Sequence, residues 1–291
     1  MSPDQYCQHK AVKSGSSFYY SFLFLPAEQR RAITALYAFC REVDDVVDEC
    51  TDPGVAHSKL DWWQEEIERC FAGQPRHPVS RALQQPIQSY NLPGEYFQEI
   101  IDGMRMDLQQ SRYESFSELA LYCHRVAGVV GLLSAEIFGY QHRDTLRYAE
   151  ELGTAFQLTN ILRDVREDAE RGRIYLPQDE LLEYGVSPDE LLELRDTDRL
   201  HELLGMQAQR ARRYYRRAIS HLPAEDRHAQ RSGLIMAAIY QTLLDEIEED
   251  GFRVMQQRLS LTPLRKLWIA WKTASKERRR HRKYLKTTAH A

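Results

Sequence analysis

Chain breakers are scarce in this 291-residue sequence: 14 glycines and 11 prolines make up about 9% of it, against a usual share of about 12%. That leaves too few turn residues for a many-stranded sheet protein, and neither an Asn-Gly hairpin signal nor sustained period-two alternation occurs. Cysteine is also sparse. Cys7, Cys40, Cys50, Cys70 and Cys123 are odd in number, scattered and without a Cys-x-x-Cys, which argues against a disulfide framework or thiolate zinc site and suits a reducing cytoplasm. Ten histidines show no His-Glu-x-x-His, and no Gly-x-Gly-x-x-Gly is present. Long apolar runs are missing as well. One uncharged run dense in apolar residues, Val126 to Ala135, stops at Glu136, short of a bilayer span. Phe18 to Leu25 looks like a signal-peptide core, but Pro26, Glu28, Arg30 and Arg31 follow it with no small-residue cleavage site. The formal net charge of −4 argues against a general nucleic-acid binder.

What is present is helical patterning. Leu, Ala, Glu, Gln and Arg are plentiful, and breakers fall singly between long stretches. Ile33, Leu36, Tyr37 and Cys40 make an i, i+3, i+4, i+7 stripe after Pro26. Ser115 with Glu118 predicts a capping box opening a helix through Leu119, Tyr122, Val126, Val129 and Leu133. Leu152, Phe156, Thr159, Leu162 and Val165 predict one long helix from His142 to about Ala169, followed by a loopier stretch near 172–198. No fixed repeat or Ser/Gly linker divides the chain, so one all-α domain over residues 1–291 is expected.

Two places depart from ordinary amphipathic helices. In Arg41-Glu42-Val43-Asp44-Asp45-Val46-Val47-Asp48, Asp44 and Asp48 share a helix face, where like charges repel. In Asn160-Ile161-Leu162-Arg163-Asp164-Val165-Arg166-Glu167-Asp168, residues Asn160, Asp164 and Asp168 form a polar stripe at i, i+4 and i+8. Either cluster alone reads as a solvated face. Two of the same build, each with an arginine beside it, suggest two acidic walls holding Mg²⁺ and a diphosphate between them, with the metals offsetting the repulsion.

At these motifs the chain resembles the squalene/phytoene synthase family of head-to-head prenyl synthases. The resemblance covers nearly the whole chain. It is carried by Ser16-Ser17-Phe18, by Ala35 to Arg41 leading into Asp44-Asp45-Val46-Val47-Asp48, by Gly103 to Asp107, by Tyr122 to Gly131, and by Gln157 to Asp168 continuing through Gly172 to Pro177. It implies a single-domain all-α isoprenoid synthase fold with both Asp-rich helices facing a central apolar cavity. It also implies that Asp44, Asp48, Asn160, Asp164 and Asp168 bind Mg²⁺, or Mn²⁺ in its place, with the diphosphate. Arg41 and Arg163 would support the diphosphates, Asp107 would be a polar wall residue, and Tyr37, Tyr122, Gln157, Tyr175 and Tyr240 would line the pocket. For each tyrosine, core packing is the alternative reading. The aromatic run Phe18, Tyr19, Tyr20, Phe22, Phe24 is expected in the core.

The implied reaction ionises one allylic diphosphate, adds the double bond of a second molecule to the cation, and closes a cyclopropane with loss of a proton. No Ser/His or Cys/His dyad is needed for this, and a displaced diphosphate or a pocket tyrosine is left as the proton acceptor. The segments Ser16 to Pro26, Cys40 to Glu49 and Arg258 to Trp271 resemble the bacterial hopanoid branch. That points to presqualene diphosphate from two farnesyl diphosphates, with NADPH not expected and handover to downstream squalene-forming enzymes. The alternative is phytoene from two geranylgeranyl diphosphates. A non-enzymatic helical membrane-surface protein is the alternative of a different class.

The C-terminus motivates that last reading. Leu264, Leu267, Trp268 and Trp271 form an apolar face directly before residues 276–286, which carry a net +6 against −10 for the rest of the chain. Such a face either rests on anionic lipid, placing a cytoplasmic protein at the inner membrane, or packs on its own core with 276–291 as a disordered, solvated arm. Core packing is the expectation.

Overall fold

The computed structural model describes residues 1–13 and 17–288; Ser16 of the N-terminal motif and residues 289–291 of the basic tail lie outside the described residues. Helices account for about three quarters of it, with no strand among the described residues. Helices α1 (Pro3–Lys13), α2 (Phe18–Phe22) and α3 (Ala27–Glu49) are followed by α4 (Pro53–Phe71), α5 (Pro78–Ser89) and α6 (Gly94–Gln109). Next, α7 (Phe116–Cys123) runs through a π-helical turn (His124–Gly128) into α8 (Val129–Phe138). Then come α9 (Asp144–Arg163), α10 (Val165–Glu170), α11 (Gln178–Glu183) and α12 (Pro188–Leu192), and the long α13 (Asp198–His221), α14 (Arg231–Glu249) and α15 (Pro263–Thr288).

Local chemistry sets several boundaries. Asp52 caps α4, its Oδ1 accepting from the backbone N–H of Gly54 (2.7 Å) and Val55 (3.1 Å), with Pro53 at the first position, where no donor is lost. Ser187 and Glu190 cap α12 reciprocally. The box expected at Ser115 does not form: its side chain makes no cap bond, and Glu118 reaches back instead to the N–H of Glu114 (2.9 Å).

The helix expected from His142 to about Ala169 is divided at Asp164, which leaves helical dihedrals (φ −102°, ψ 13°) between α9 and α10. Hydrogen bonds from Asp164 N to Asn160 O and from Asp168 N to Asp164 O, both 2.9 Å, bridge the break. The i, i+4, i+8 polar stripe therefore survives the bend. The run Phe116–Phe138, 23 residues, is long and apolar enough to cross a membrane by composition, but half of it is buried against neighbouring helices.

Buried apolar side chains gather into two clusters. One, around Leu36, Phe39, Leu60 and Phe97, joins α3 to α6 with α8; the other, around Leu152, Leu204, Tyr215 and Ile235, joins α9, α13 and α14. Phe18 and Val126 pack against both, at the seam where the cavity opens. Helix α9 comes unusually close across it to α8 and to the π-helical turn before α8. A Cβ on Gly131 would stand 2.2 Å from Ala149 O, and one on Gly153 would stand 2.2 Å from Ala127 O, so neither position has room for a side chain.

The C-terminus corrects two expectations. The basic segment is not a loose arm: α15 runs unbroken to Thr288. Its apolar face does not pack on the core either, because Leu264, Leu267, Trp268 and Trp271 are exposed while Ile269, Ala270, Ala274 and Glu277 on the opposite side are buried.

Candidate active site

Helices α3 and α9 carry the two acidic motifs to the same cavity of about 400 Å³, because each packs an apolar face into its own core cluster and turns its polar stripe toward the seam. Tyr37, Arg41 and Asp44 of α3 line it, as do Gln157, Asn160 and Arg163 of α9, and Tyr122 and Tyr240 join them. Eight of the thirteen site residues expected from sequence thus share one cavity wall. Asp48, Asp107, Asp164, Asp168 and Tyr175 stand just outside this lining, tied to it through hydrogen bonds and charge.

Arginines cover most of the acids. Arg41 forks onto Asp44 and Asp45, and Arg163 grips the adjacent Asp164. Arg258 Nε, from the loop between α14 and α15, lies 2.8 Å from Asp164 Oδ1 and 3.3 Å from Glu167 Oε1. Asp48 pairs with Arg171 (3.0 Å) and Arg173 (3.5 Å), which arrive from beyond α10. The neighbours of the second motif therefore neutralise the first.

The charge balance is uneven. Burial pushes Asp44 up to about 6; Arg41 opposes this, while Asp48 and Asp107 repel its charge. Burial also raises Asp168, to about 8, with Asp164 and Asp107 adding repulsion that Arg171 and Arg173 do not overcome. For Asp164, burial is outweighed by Arg163 and Arg258, and its carboxyl sits below the usual range.

Asp107 anchors a tyrosine network. Its Oδ2 accepts from Tyr122 OH (2.9 Å) and its Oδ1 from Tyr175 OH (2.8 Å). Tyr175 is held there because the backbone N–H groups of Ile174 and Gln178 bond to Ser111 O and Tyr113 O, pinning the loop after α10 to the loop after α6. Burial raises Asp107 to about 6, against the pull of Arg173 and the two hydroxyls. Burial and the Asp107 charge hold both tyrosines far above their ordinary pKa, so they keep their protons.

Behind this polar mouth an apolar tunnel follows α9. Tyr148, Leu152, Phe156 and Asn160 recur every fourth residue on its wall, a span of about 18 Å along the helix. At the neck, Phe18 packs against Tyr37 (5.8 Å between ring centroids) and Phe156 (6.3 Å), and Phe156 against Tyr240 (4.9 Å). Phe22 is buried in the first core cluster and Phe18 packs against both clusters, as expected, and both also line this tunnel. Tyr20 lies beneath Lys266 Nζ (5.7 Å), and Phe24 packs on the core.

Divalent ions fit the donor set. All the donors are oxygens, and Asn160 Oδ1 is buried with no hydrogen-bond partner. Hard oxygen donors suit Mg²⁺ or Mn²⁺ over softer metals. No three acids among the described residues converge on one point. Each ion would therefore take one or two carboxylates and complete its shell with phosphate and water oxygens, the usual habit of Mg²⁺.

Sequence reasoning missed Arg258 and Lys266, which line the mouth, as well as Arg171. Nothing in the sequence tied Arg258 to its partner Asp164, which lies 94 residues away. Arg171 and Arg173, flanking the acidic stripe in Arg171-Gly172-Arg173, were the one cue available.

A family model described as squalene/phytoene synthase matches residues 11–265. A chloroplastic phytoene synthase from an Oncidium hybrid cultivar is 37% identical over 90% of this chain, and a 15-cis-phytoene synthase from Synechocystis is 37% identical over 91%. The chain spans 65% of the Oncidium protein and 83% of the Synechocystis one. Among solved structures, a dehydrosqualene synthase bound to a ligand has a TM-score of 0.83 at 29% identity, covering 98% of this chain and 97% of its own. A squalene synthase from Alicyclobacillus acidocaldarius has a TM-score of 0.76 at 30% identity, covering 86% and 94%.

Proposed function

Because the chain belongs to the squalene/phytoene synthase family, whose members are divalent-metal-dependent prenyltransferases, we propose that it joins two geranylgeranyl diphosphates head to head on the way to phytoene. The observation that carries the choice of substrate is tunnel length. An extended chain advances about 1.2 Å per bond, so the fifteen main-chain bonds of a geranylgeranyl group reach about 18 Å and the eleven of a farnesyl group about 13 Å. The α9 wall from Asn160 to Tyr148 offers about 18 Å. The curated phytoene synthases at 36–37% identity support the same reading over the farnesyl-based one expected from sequence. The second reading, presqualene diphosphate from farnesyl diphosphate, is favoured by the likeness to the dehydrosqualene and squalene synthase structures.

In this reading the chain's own groups divide the work. Asp44, Asp48, Asn160, Asp164 and Asp168 would hold Mg²⁺, which supplies charge neutralisation of the departing diphosphate. Arg41, Arg163, Arg258 and Lys266 at the mouth add fixed positive charge to the same anion. The neck of Phe18, Tyr37, Phe156 and Tyr240 turns aromatic rings toward the allylic cation and keeps water from it. Tyr122 and Tyr175 donate to Asp107 and hold their protons, so they position the wall and leave the displaced diphosphate to accept the proton.

The test is incubation of purified protein with Mg²⁺ and either C15 or C20 diphosphate, without NADPH, with products read by mass spectrometry. Phytoene from C20 is expected. Presqualene diphosphate from C15 with no turnover of C20 would sink the substrate assignment. Asp44→Ala and Asp164→Ala should each abolish product with helical circular dichroism retained; near-normal turnover in either would overturn the site itself.

A further inference from the structure

The outward face of α15 is unexplained by the active site. Leu264 is 79% exposed, Trp271 61% and Trp268 57%, large values for three apolar side chains within three turns of one helix. The same stripe continues C-terminally through Arg279, Arg282 and Lys286, all exposed, flanked by Lys272, Lys276 and Lys283. One helix face is thus tryptophan- and leucine-rich over its first turns and cationic over its last.

The helix is firmly seated from behind. Ile269, Ala270 and Ala274 are buried, and Glu277 is 3% exposed between Arg227 (3.1 Å) and Arg280 (2.8 Å). Glu277 is the sole acid among the described residues of α15, which carry ten Lys and Arg. Its burial leaves the outer face with no negative charge of its own helix. The stripe also borders the active-site mouth, since Lys266 and Leu261 line that cavity.

We propose that this face of α15 docks on an anionic membrane surface, with Trp268 and Trp271 in the headgroup layer and the distal arginines and lysines against lipid phosphates. Tryptophan suits that layer because its ring is apolar and its N–H finds a partner there. The cationic half matches the charge of an anionic leaflet. A second copy fits poorly, because isologous pairing would set two cationic stripes against each other with each lone acid buried. Docking here would bring the mouth beside the phase that holds a long prenyl product.

The experiment uses the full chain without substrate, so its outcome is independent of which diphosphate is consumed. Protein is sedimented with vesicles of phosphatidylcholine alone or mixed with phosphatidylglycerol, and its self-association is followed by sedimentation velocity. Binding to the anionic vesicles only is expected. The double variants Trp268→Ser/Trp271→Ser and Arg279→Glu/Arg282→Glu should each weaken it at least tenfold, with circular dichroism unchanged. Wild-type protein left in the supernatant with anionic vesicles would overturn the proposal. So would variants that bind like wild type, or tryptophan variants that dissolve a dimer without altering vesicle binding.

Discussion

Arg258 Nε donates to Asp164 Oδ1 at 2.8 Å, joining the loop before α15 to the bend between α9 and α10. The same carboxylate is gripped by Arg163, so two cations occupy the acid at the centre of the second motif. In the proposed reaction a metal ion on Asp164 would compete with Arg258 for the same oxygens, and Arg258 would then be available to the diphosphate.

Arg258→Ala should lower kcat/KM by about 100-fold, the size of effect expected for one fixed charge on a leaving group. Its melting temperature should hardly move, because the Arg258 side chain is 49% exposed and half-exposed pairs add little stability. Steady-state kinetics beside a thermal melt would separate the two. Wild-type kcat/KM in this variant would contradict the role.

The raised acids predict a pH dependence with a definite sign. Asp168 titrates at about 8 in the fold and Asp44 at about 6, against about 3.9 for an unfolded aspartate. Between those limits the folded state binds more protons, so metal-free stability falls as pH rises from 6.5 to 8. Melting temperature in chelator should fall over that range, and Asp168→Asn should flatten the slope. Divalent-ion binding requires the ionised carboxylates, so calorimetry near pH 7 in buffers of different ionisation enthalpy should show proton release and tighter binding at higher pH.

Tunnel length predicts a shift in substrate. Ala149 lines the wall eleven residues before Asn160, about 16 Å along the helix, beyond the reach of a farnesyl tail but within that of a geranylgeranyl tail. Ala149→Leu should lower kcat/KM for the C20 diphosphate at least tenfold relative to C15, the scale of discrimination set by a few methylenes. An unchanged ratio would place the floor of the tunnel elsewhere.

The close seat of α9 on the π-helical turn predicts a stability loss without any change of charge. Gly153→Ala puts a methyl 2.2 Å from Ala127 O and forces α9 away from the π-helical turn that leads into α8. Urea denaturation should show a loss of about 1–3 kcal/mol, typical of overpacking. A Gly153→Ala variant as stable as wild type would show that the two segments can part freely.

Much of this was readable in one dimension. Scarce breakers and 3.6-residue stripes marked the helices, and Asp44/Asp48 and Asn160/Asp164/Asp168 were legible because an i, i+4 relation is local. The bend at Asp164 was not legible, since a residue contacted by Arg163 and Arg258 departs from helical dihedrals without losing its i, i+4 hydrogen bonds. Nor was the double use of the aromatic run, in which Phe18 and Phe22 pack on the core and also line the tunnel while Phe24 packs on the core alone.

By itself, then, the sequence determined that the chain is helical, that it carries two acidic faces, and that a basic end follows an apolar one, because each of these is a pattern within a few turns. Only the tertiary structure decided that the two faces share a cavity, that Arg258 reaches its mouth to meet Asp164, that an apolar pocket follows α9 behind it, and that the tryptophans of α15 point outward. Those outcomes depend on which helix packs against which, and side chains 94 residues apart have no local signature of their meeting.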